Sequence, residues 1–267
     1  MLTETIEALA LPADAEVEPA PGGASGMAWR VRAGRETFAL RLDRSGRHTD
    51  GRLAAMAAAR EAGIPAPRLL RRAATSAGEA VLLSWLPGVT MLEALDADPD
   101  GAGSWGQLAG ALQRRLHAIT APPSVISVRD DADLPFDAGR AVAELPAGEA
   151  LLHLDWHPLN LLVDPAARSI TGIVDWDNAR RGHPSLDVAR TRAMLTLEPT
   201  LASLPAAVRE RVDEFVASWA GGYGAIDVPV ASHLWAARVM LADLAPRHAS
   251  QPALLDPLRS HLASLEG

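Results

Sequence analysis

His153-Leu154-Asp155-Trp156-His157-Pro158-Leu159-Asn160, followed by Ile173-Val174-Asp175-Trp176-Asp177, is the part of this 267-residue chain whose reading decides the fold. Leu151 to Leu154 and Leu159 to Val163 are short apolar runs separated by turn residues, a pattern of buried strands flanking an exposed loop. Asp155 to Pro158 are therefore loop. Asp164-Pro165-Ala166-Ala167-Arg168-Ser169 reads as a turn, and Ile170 to Val174 as a third strand that delivers Asp175 at its end. A strand, loop, strand, hairpin, strand arrangement brings Asn160 and Asp175 to one edge.

Three oxygen-bearing side chains in this order have the layout of a phosphoryl-transfer centre. In protein kinases an H-R-D-x-x-x-x-N loop supplies a catalytic Asp and a metal-binding Asn, and the Asp of a later D-F-G triplet holds magnesium. A transferring phosphoryl group carries spread negative charge, so hard oxygen ligands must hold Mg2+ against the triphosphate while another carboxylate faces the acceptor hydroxyl. Asn160 and Asp175 suit the metal role. Asp155 suits the catalytic one, orienting the acceptor and taking its proton. A single H-x-D or D-W is more often an ordinary loop residue beside a core Trp, and it is the conjunction of motifs at compatible spacing that favours this chemistry.

Taken together, these motifs resemble the aminoglycoside phosphotransferase and choline kinase-like family. His153, Asp155, His157 and Asn160 match that family's H-x-D-x-H-x-x-N loop, and Val174-Asp175-Trp176-Asp177 matches its I-D-W strand. Gly182-His183-Pro184-Ser185-Leu186-Asp187-Val188-Ala189 is similar to its G-D-P-x-x-D-L-A segment. The resemblance implies an α+β, two-lobed protein-kinase-like fold, with a small β-rich N-lobe over residues 1–86 and a larger, mostly helical C-lobe over 87–267. It also implies Mg2+ as cofactor and ATP or GTP as co-substrate. Asp187 is then structural, bonding the backbone of the catalytic loop. His157 supports Asp155 or approaches phosphate, and His153 and His157 lack the further ligands a structural zinc site needs.

The amino-terminal third extends the resemblance. Gly22-Gly23-Ala24-Ser25-Gly26 precedes Met27 to Arg32, and Arg35 to Leu42 follows the turn Ala33-Gly34, which reads as a Gly-rich loop within a hairpin. Amides freed by glycine approach phosphate oxygens closely, so Gly23 and Ser25 are nucleotide-binding candidates, although such clusters are more often simple turns. Arg41 falls where the family places a phosphate-binding lysine, keeping the charge but with a planar head. Arg52 to Ala62 reads as a helix with Leu53, Met56 and Ala57 on one face, stopped by Gly63. The family carries a glutamate near the start of this helix to pair with the lysine. Here that place holds Arg52, and the expected ion pair is not visible. Ala80 to Leu86 is an apolar strand running into Pro87-Gly88, where the backbone of Ser84 to Leu86 would meet adenine in a kinase-like fold, an ordinary core strand being the equal alternative.

Composition narrows the classes further. The chain has no cysteine, so disulfides and thiolate metal sites are excluded. All 25 basic residues are arginine, and the net charge of -8 argues against a nucleic-acid surface while mildly favouring a cationic small acceptor. The start lacks a signal-peptide pattern and no apolar run reaches membrane-spanning length, so a soluble cytoplasmic protein is expected.

The rest of the chain reads as helical. Ser104-Trp105-Gly106-Gln107 looks like a capping box opening a helix with Trp105, Leu108, Leu112, Leu116 and Ile119 on its core face. His117 reads as a packed structural histidine. Further helices are expected over Asp187 to Leu197, around Val208 to Trp219 before Gly221-Gly222, around Leu234 to Leu241, and over Leu254 to Leu265. Trp219 and Trp235 fit core packing better than an acceptor pocket.

The sequence thus points to a kinase of a small hydroxyl-bearing molecule, with an aminoglycoside-like antibiotic as the first guess and resistance as the biological setting. Choline, homoserine, sugar or macrolide acceptors are alternatives, because fold-level likeness does not select a substrate. A protein kinase is disfavoured, since Asp175-Trp176-Asp177 lacks the glycine of D-F-G and no A-P-E-like segment follows. A nucleotide-binding pseudoenzyme is the reading from another class, motivated by Arg41 and Arg52.

Overall fold

The computed structural model describes residues 2–20, 28–44, 48–131 and 144–266. Gly23 and Ser25 lie outside them. Helix α1 (Leu2–Ala8) precedes strands β1 (Glu16–Pro19), β2 (Ala28–Ala33) and β3 (Glu36–Asp43); helix α2 (Thr49–Glu61) then leads to β4 (Leu69–Thr75) and β5 (Gly78–Ser84). These strands form one antiparallel sheet in the order β1-β2-β3-β5-β4. Side chains alternate across a strand, so Leu40 and Leu42 of β3 join Ala80 and Leu82 of β5 in a core that includes Leu9. Ala39, Val81 and Leu83 point the other way and pack with the α2 residues Ala55, Met56 and Ala59. The same alternation sends Arg41 to the α2 side.

Helix α2 begins three residues earlier than its sequence pattern suggests. Its buried face is Arg52, Ala55, Met56 and Ala59, while Ala57 is exposed. The alanine-rich composition hides the phase, because Ala satisfies either face and a buried Arg does not register as apolar.

Past β5 the chain turns at Pro87-Gly88. Gly88 has φ +119°, and a Cβ there would lie 2.5 Å from the Val163 carbonyl oxygen and 2.6 Å from Thr171 Oγ1. No other residue fits this crossover. Short strand β6 (Val89–Thr90) and helix α3 (Met91–Ala97) follow, with Thr90 and Glu93 forming a capping box. Helix α4 (Ala102–His117) starts before Ser104, whose hydroxyl donates to the Gly101 carbonyl, so the capping box expected there is absent. Trp105, Leu112 and Leu116 are buried as expected, whereas Leu108 is exposed.

Strand β7 (Ala150–Leu152) leads into the catalytic-type loop, β8 (Leu161–Asp164) and β9 (Ser169–Ile173) form a hairpin, and β10 (Arg180–Gly182) follows a short turn. The three strands expected around the loop do not share a sheet. β7 pairs with β10, and β8 lies between β9 and β6, pairing with both. Helices α5 (Pro184–Leu197), α6 (Ala206–Tyr223), α7 (Val230–Leu244) and α8 (Asp256–Glu266) complete the C-lobe. α6 runs through Gly221-Gly222 instead of stopping at them.

Close approach of α4 and α6 explains those glycines. A Cβ on Gly110 would lie 2.0 Å from the Trp219 carbonyl oxygen, and one on Gly222 would lie 2.2 Å from that of Gln107. Gln113 links the pair to α5, accepting from Trp219 Nε1 at 2.8 Å and donating to Thr191 Oγ1 at 2.9 Å. This crossing sets the distance between His117 on α4 and Tyr223 on α6. Gly110→Ala is predicted to lower unfolding stability by about 1–3 kcal/mol through overpacking. Exposed Gly221, with open space around its Cβ position, should instead gain about 0.5–1 kcal/mol on change to Ala. Chemical denaturation of the two variants checks the contrast.

Candidate active site

Two residues without glycine's freedom take left-handed backbone conformations here: Leu154 at φ 60° and Asp175 at φ 59°. Such positions cost about 1–3 kcal/mol each and persist only when surrounding bonds enforce them. For Leu154 the enforcement comes from Asp187, in the first turn of α5. Its fully buried carboxylate accepts the His153 amide at 2.8 Å and the Leu154 amide at 3.0 Å. It also accepts His117 Nε2 at 2.9 Å, while His117 Nδ1 meets the Tyr223 hydroxyl at 2.8 Å. Burial alone would raise the Asp187 pKa, but the His117 hydrogen bond and charge, with the His153 amide, hold it below the usual carboxylate range. On the other side, Arg190 Nε donates to the Leu154 carbonyl at 3.3 Å, and its Nη2 pairs with Asp243.

The peptide of Val174 joins the loop to the strand carrying Asp175. Its N–H donates to the Asn160 carbonyl at 2.9 Å, and its carbonyl lies 3.1 Å from His153 Nε2. Burial pushes the His153 pKa down, so the ring is neutral. Because a carbonyl only accepts, the ring proton is on Nε2. Trp156 and Trp176 enclose the ring edge-on, with centroids 5.9 and 5.0 Å away. His153 is thus a structural clamp.

The clamp gathers Asp155, Asn160 and Asp175. Asn160 Nδ2 donates to the Asp155 carbonyl at 2.9 Å and to Asp155 Oδ2 at 3.0 Å. With its nitrogen committed, Asn160 keeps Oδ1 as the atom able to ligate a cation. His157 Nε2 lies 3.4 Å from Asp155 Oδ1. Burial works to raise the Asp155 pKa, but the hydrogen bond and charge of His157, with the charge of Arg190, bring it below the usual value. Asp155 is therefore an anion at neutral pH.

Arg41 approaches from β3. Its Nη1 is 3.3 Å from Asp175 Oδ1, and its Nη2 bonds to Asp177 Oδ2. Burial lowers the Arg41 pKa and the Asp177 and Asp175 charges more than offset it, leaving it raised. Ser84 ends β5, where its amide donates to the Arg68 carbonyl at 2.8 Å and its hydroxyl accepts the Arg68 amide at 2.9 Å. Leu86 packs toward Gly172 of β9. Among the described residues no cluster of three or more His, Cys, Asp or Glu side chains has metal-holding geometry. An Asn and an Asp completed by phosphate oxygens and waters is instead a donor set that fits Mg2+.

Sequence reasoning did not assign Asp177, Arg190 or Tyr223. Asp177 was detectable by charge: two arginines stand where a cation and an anion were expected, and the nearest additional acid in the matched motifs is Asp177. Tyr223 and Arg190 carry no local signal. Trp235 is buried in the core. Trp219 is buried too, yet it helps line a cavity of about 200 Å³ between α5, α6 and α7, together with Val188, Arg192, Tyr223, Val228 and His233.

A β-rich lobe joined at a glycine crossover to a helical lobe that holds the loop and the D-W strand defines a two-lobed, protein-kinase-like phosphotransferase fold. The model of the Phosphotransferase enzyme family, APH, matches residues 16–150 and 129–230, and the chain belongs to that family. No curated protein matches it. Among solved structures, aminoglycoside-3'-phosphotransferase of type VIII is 21% identical, with a TM-score of 0.62, covering 89% of this chain and 98% of its own. A thermostable mutant of aminoglycoside phosphotransferase APH(4)-Ia, in ternary complex with AMP-PNP and hygromycin B, is 17% identical with a TM-score of 0.63 and 98% of both chains covered. Macrolide 2'-phosphotransferase MphH from Brachybacterium faecium is 18% identical with a TM-score of 0.53, covering 98% of this chain and 97% of its own.

Asp187 supplies the prediction here. Its depressed pKa means that its stabilising charge is present above the ordinary aspartate range and is lost as pH falls through the lower folded value. Asp187→Ala should cost on the order of 3–5 kcal/mol at neutral pH. The gap to the parent should narrow as pH falls below the ordinary aspartate range, as measured by urea unfolding at each pH.

Proposed function

We propose that this protein is a cytoplasmic kinase that transfers the terminal phosphate of ATP or GTP to a hydroxyl of a small molecule. The observation that carries the reading is the convergence of Asp155, Asn160 and Asp175 around the Val174 peptide. Asp155 is assigned as the catalytic residue, and Asn160 and Asp175 as the ligands of Mg2+, which when bound neutralises charge on the phosphates. Residues 1–86 would cover the nucleotide, with Gly23, Ser25 and Arg41 toward the phosphates. At the crossover, the Ser84 amide is already used by Arg68, so adenine recognition would rest on the backbone toward Leu86. Residues 87–267 would carry the loop, the metal ligands and the acceptor surface.

In the reaction, ionised Asp155 accepts a hydrogen bond from the acceptor hydroxyl and fixes its oxygen in line with the terminal phosphorus. The new oxygen–phosphorus bond forms as the bond to the bridging oxygen breaks, the nucleoside diphosphate leaves, and the hydroxyl proton passes to Asp155. A carboxylate of lowered pKa is a weak base, which suits a loose transition state in which the proton moves late. His157 and Asn160 hold the carboxylate in place.

Aminoglycoside-like compounds are the first acceptor class to screen, supported by the solved relative bound to AMP-PNP and hygromycin B, with macrolides next. A cationic amino sugar also suits a chain of net charge -8, and antibiotic resistance would follow from its modification.

A panel of hydroxyl acceptors incubated with Mg2+ and ATP or GTP, read by mass for one added phosphate, tests the reading. Asp155→Ala should reduce turnover by about 10²–10⁴-fold while leaving nucleotide affinity largely intact. Asp175→Ala should also remove the magnesium dependence of nucleotide binding. Parent-like turnover by both variants would contradict the assignments. Thermal stabilisation of the parent by nucleotide, with no turnover on any acceptor, would favour a binding module.

A further inference from the structure

Asp177 stands between two guanidinium groups from different elements of the N-lobe. Its Oδ2 takes Arg41 of β3, and its Oδ1 takes Arg52 Nη1 of α2 at 2.7 Å. Arg52 is nearly buried, at 9% exposure, and its Nη2 reaches only to 3.5 Å from Asp43 Oδ2. A buried guanidinium beside a second one is tolerable only with an anion between them. Asp177 is that anion, and it is itself fixed. It belongs to the turn Trp176–Asn178, and the carbonyls of Asp177 and of Ala179 just after the turn each accept Arg180 Nη1 at 3.0 Å. Arg180 is in turn buried against Asp131 at 2.6 Å.

We propose that Asp177 is the positioning residue of the phosphate anchor: it takes over, from the metal-strand side, the task of an acid on α2, and holds Arg41 and Arg52 as a bridged pair. Arg41 bonds Asp177 through Nη2 and reaches Asp175 through its other terminal nitrogen, Nη1, at 3.3 Å. Engagement of Asp175 by a cation therefore leaves the guanidinium anchored at one end and free to present the other to phosphate. The anchor is built across the two lobes, since Arg41 and Arg52 come from one and Asp177 from the other. Arg52 braces the carboxylate so that its two oxygens cannot swing away from Arg41. This inference rests on the kinase reading for the identity of the ligand, a nucleoside triphosphate.

The test measures binding of ATP and of adenosine to the parent, Asp177→Asn, Arg52→Glu and the double variant Arg52→Glu with Asp177→Asn. It is run in EDTA and again with Mg2+, alongside KM and kcat. Asp177→Asn should weaken ATP binding by about tenfold or more, the loss expected when a charge-assisted bond stops holding Arg41, in both conditions. Adenosine, which has no phosphates, should bind as it does to the parent, and KM for ATP should rise more than kcat falls. The double variant returns an acid to α2 and should recover most of the ATP affinity. ATP binding by Asp177→Asn within twofold of the parent would overturn the proposal. So would an equal loss for ATP and adenosine, or a double variant no better than Asp177→Asn. If the parent binds ATP but phosphorylates nothing, the kinase reading fails while these binding comparisons still decide the role of Asp177; a parent that binds no ATP overturns both.

Discussion

One peptide group holds the site together. The Val174 N–H and carbonyl are bonded to Asn160 and His153, two residues at opposite ends of the catalytic-type loop. Asp175 is the next residue along. Because each of these bonds is buried or nearly so, breaking one would leave a polar group without water to replace its partner. The loop and the strand that leads to Asp175 therefore move as one piece. Asp187 extends the constraint backward through the His153 and Leu154 amides to α5, and His117 and Tyr223 extend it to the α4–α6 crossing. The glycine contacts between those helices thus serve the position of a carboxylate in the loop.

Electrostatics divides the site into two parts. Asp155 and Asn160 are bonded to each other and flanked by His157 inside the C-lobe. Asp175 and Asp177 face two arginines delivered by the N-lobe. A nucleotide's phosphates would enter between these parts, drawn by guanidinium groups on one side and by a cation on the other, with the acceptor approaching Asp155. Arginine suits such a place, since its planar head bridges two carboxylates at once, which an ammonium cannot do with fixed geometry.

Much of this was legible in the sequence, for identifiable reasons. The loop and hairpin around Asp155, Asn160 and Asp175 were readable because short apolar runs and turn residues mark strand ends, and β3 was readable as the run Arg35 to Leu42 that follows the turn Ala33-Gly34. Sheet partners were not, because β7 pairs with β10 across a long sequence separation and nothing local encodes that choice. The face of α2 was misplaced at Ala57, since alanine is neutral to burial and the decisive buried residue is an arginine. The capping box at Ser104 was a false signal, as the helix had already begun at Ala102. Arg52 looked like a defect when weighed only against its neighbours in sequence. Its partner lies 125 residues away, so the compensation appears only in three dimensions.

Anomalous diffraction from crystals grown with Mn2+ and a non-hydrolysable ATP analogue tests the central assignment most directly. The predicted result is a metal peak bonded to Asn160 Oδ1 and an Asp175 carboxylate oxygen, with Asp155 outside its coordination sphere and facing open space beyond the terminal phosphate. A metal ligated by Asp155, or one that touches neither Asn160 nor Asp175, would contradict it.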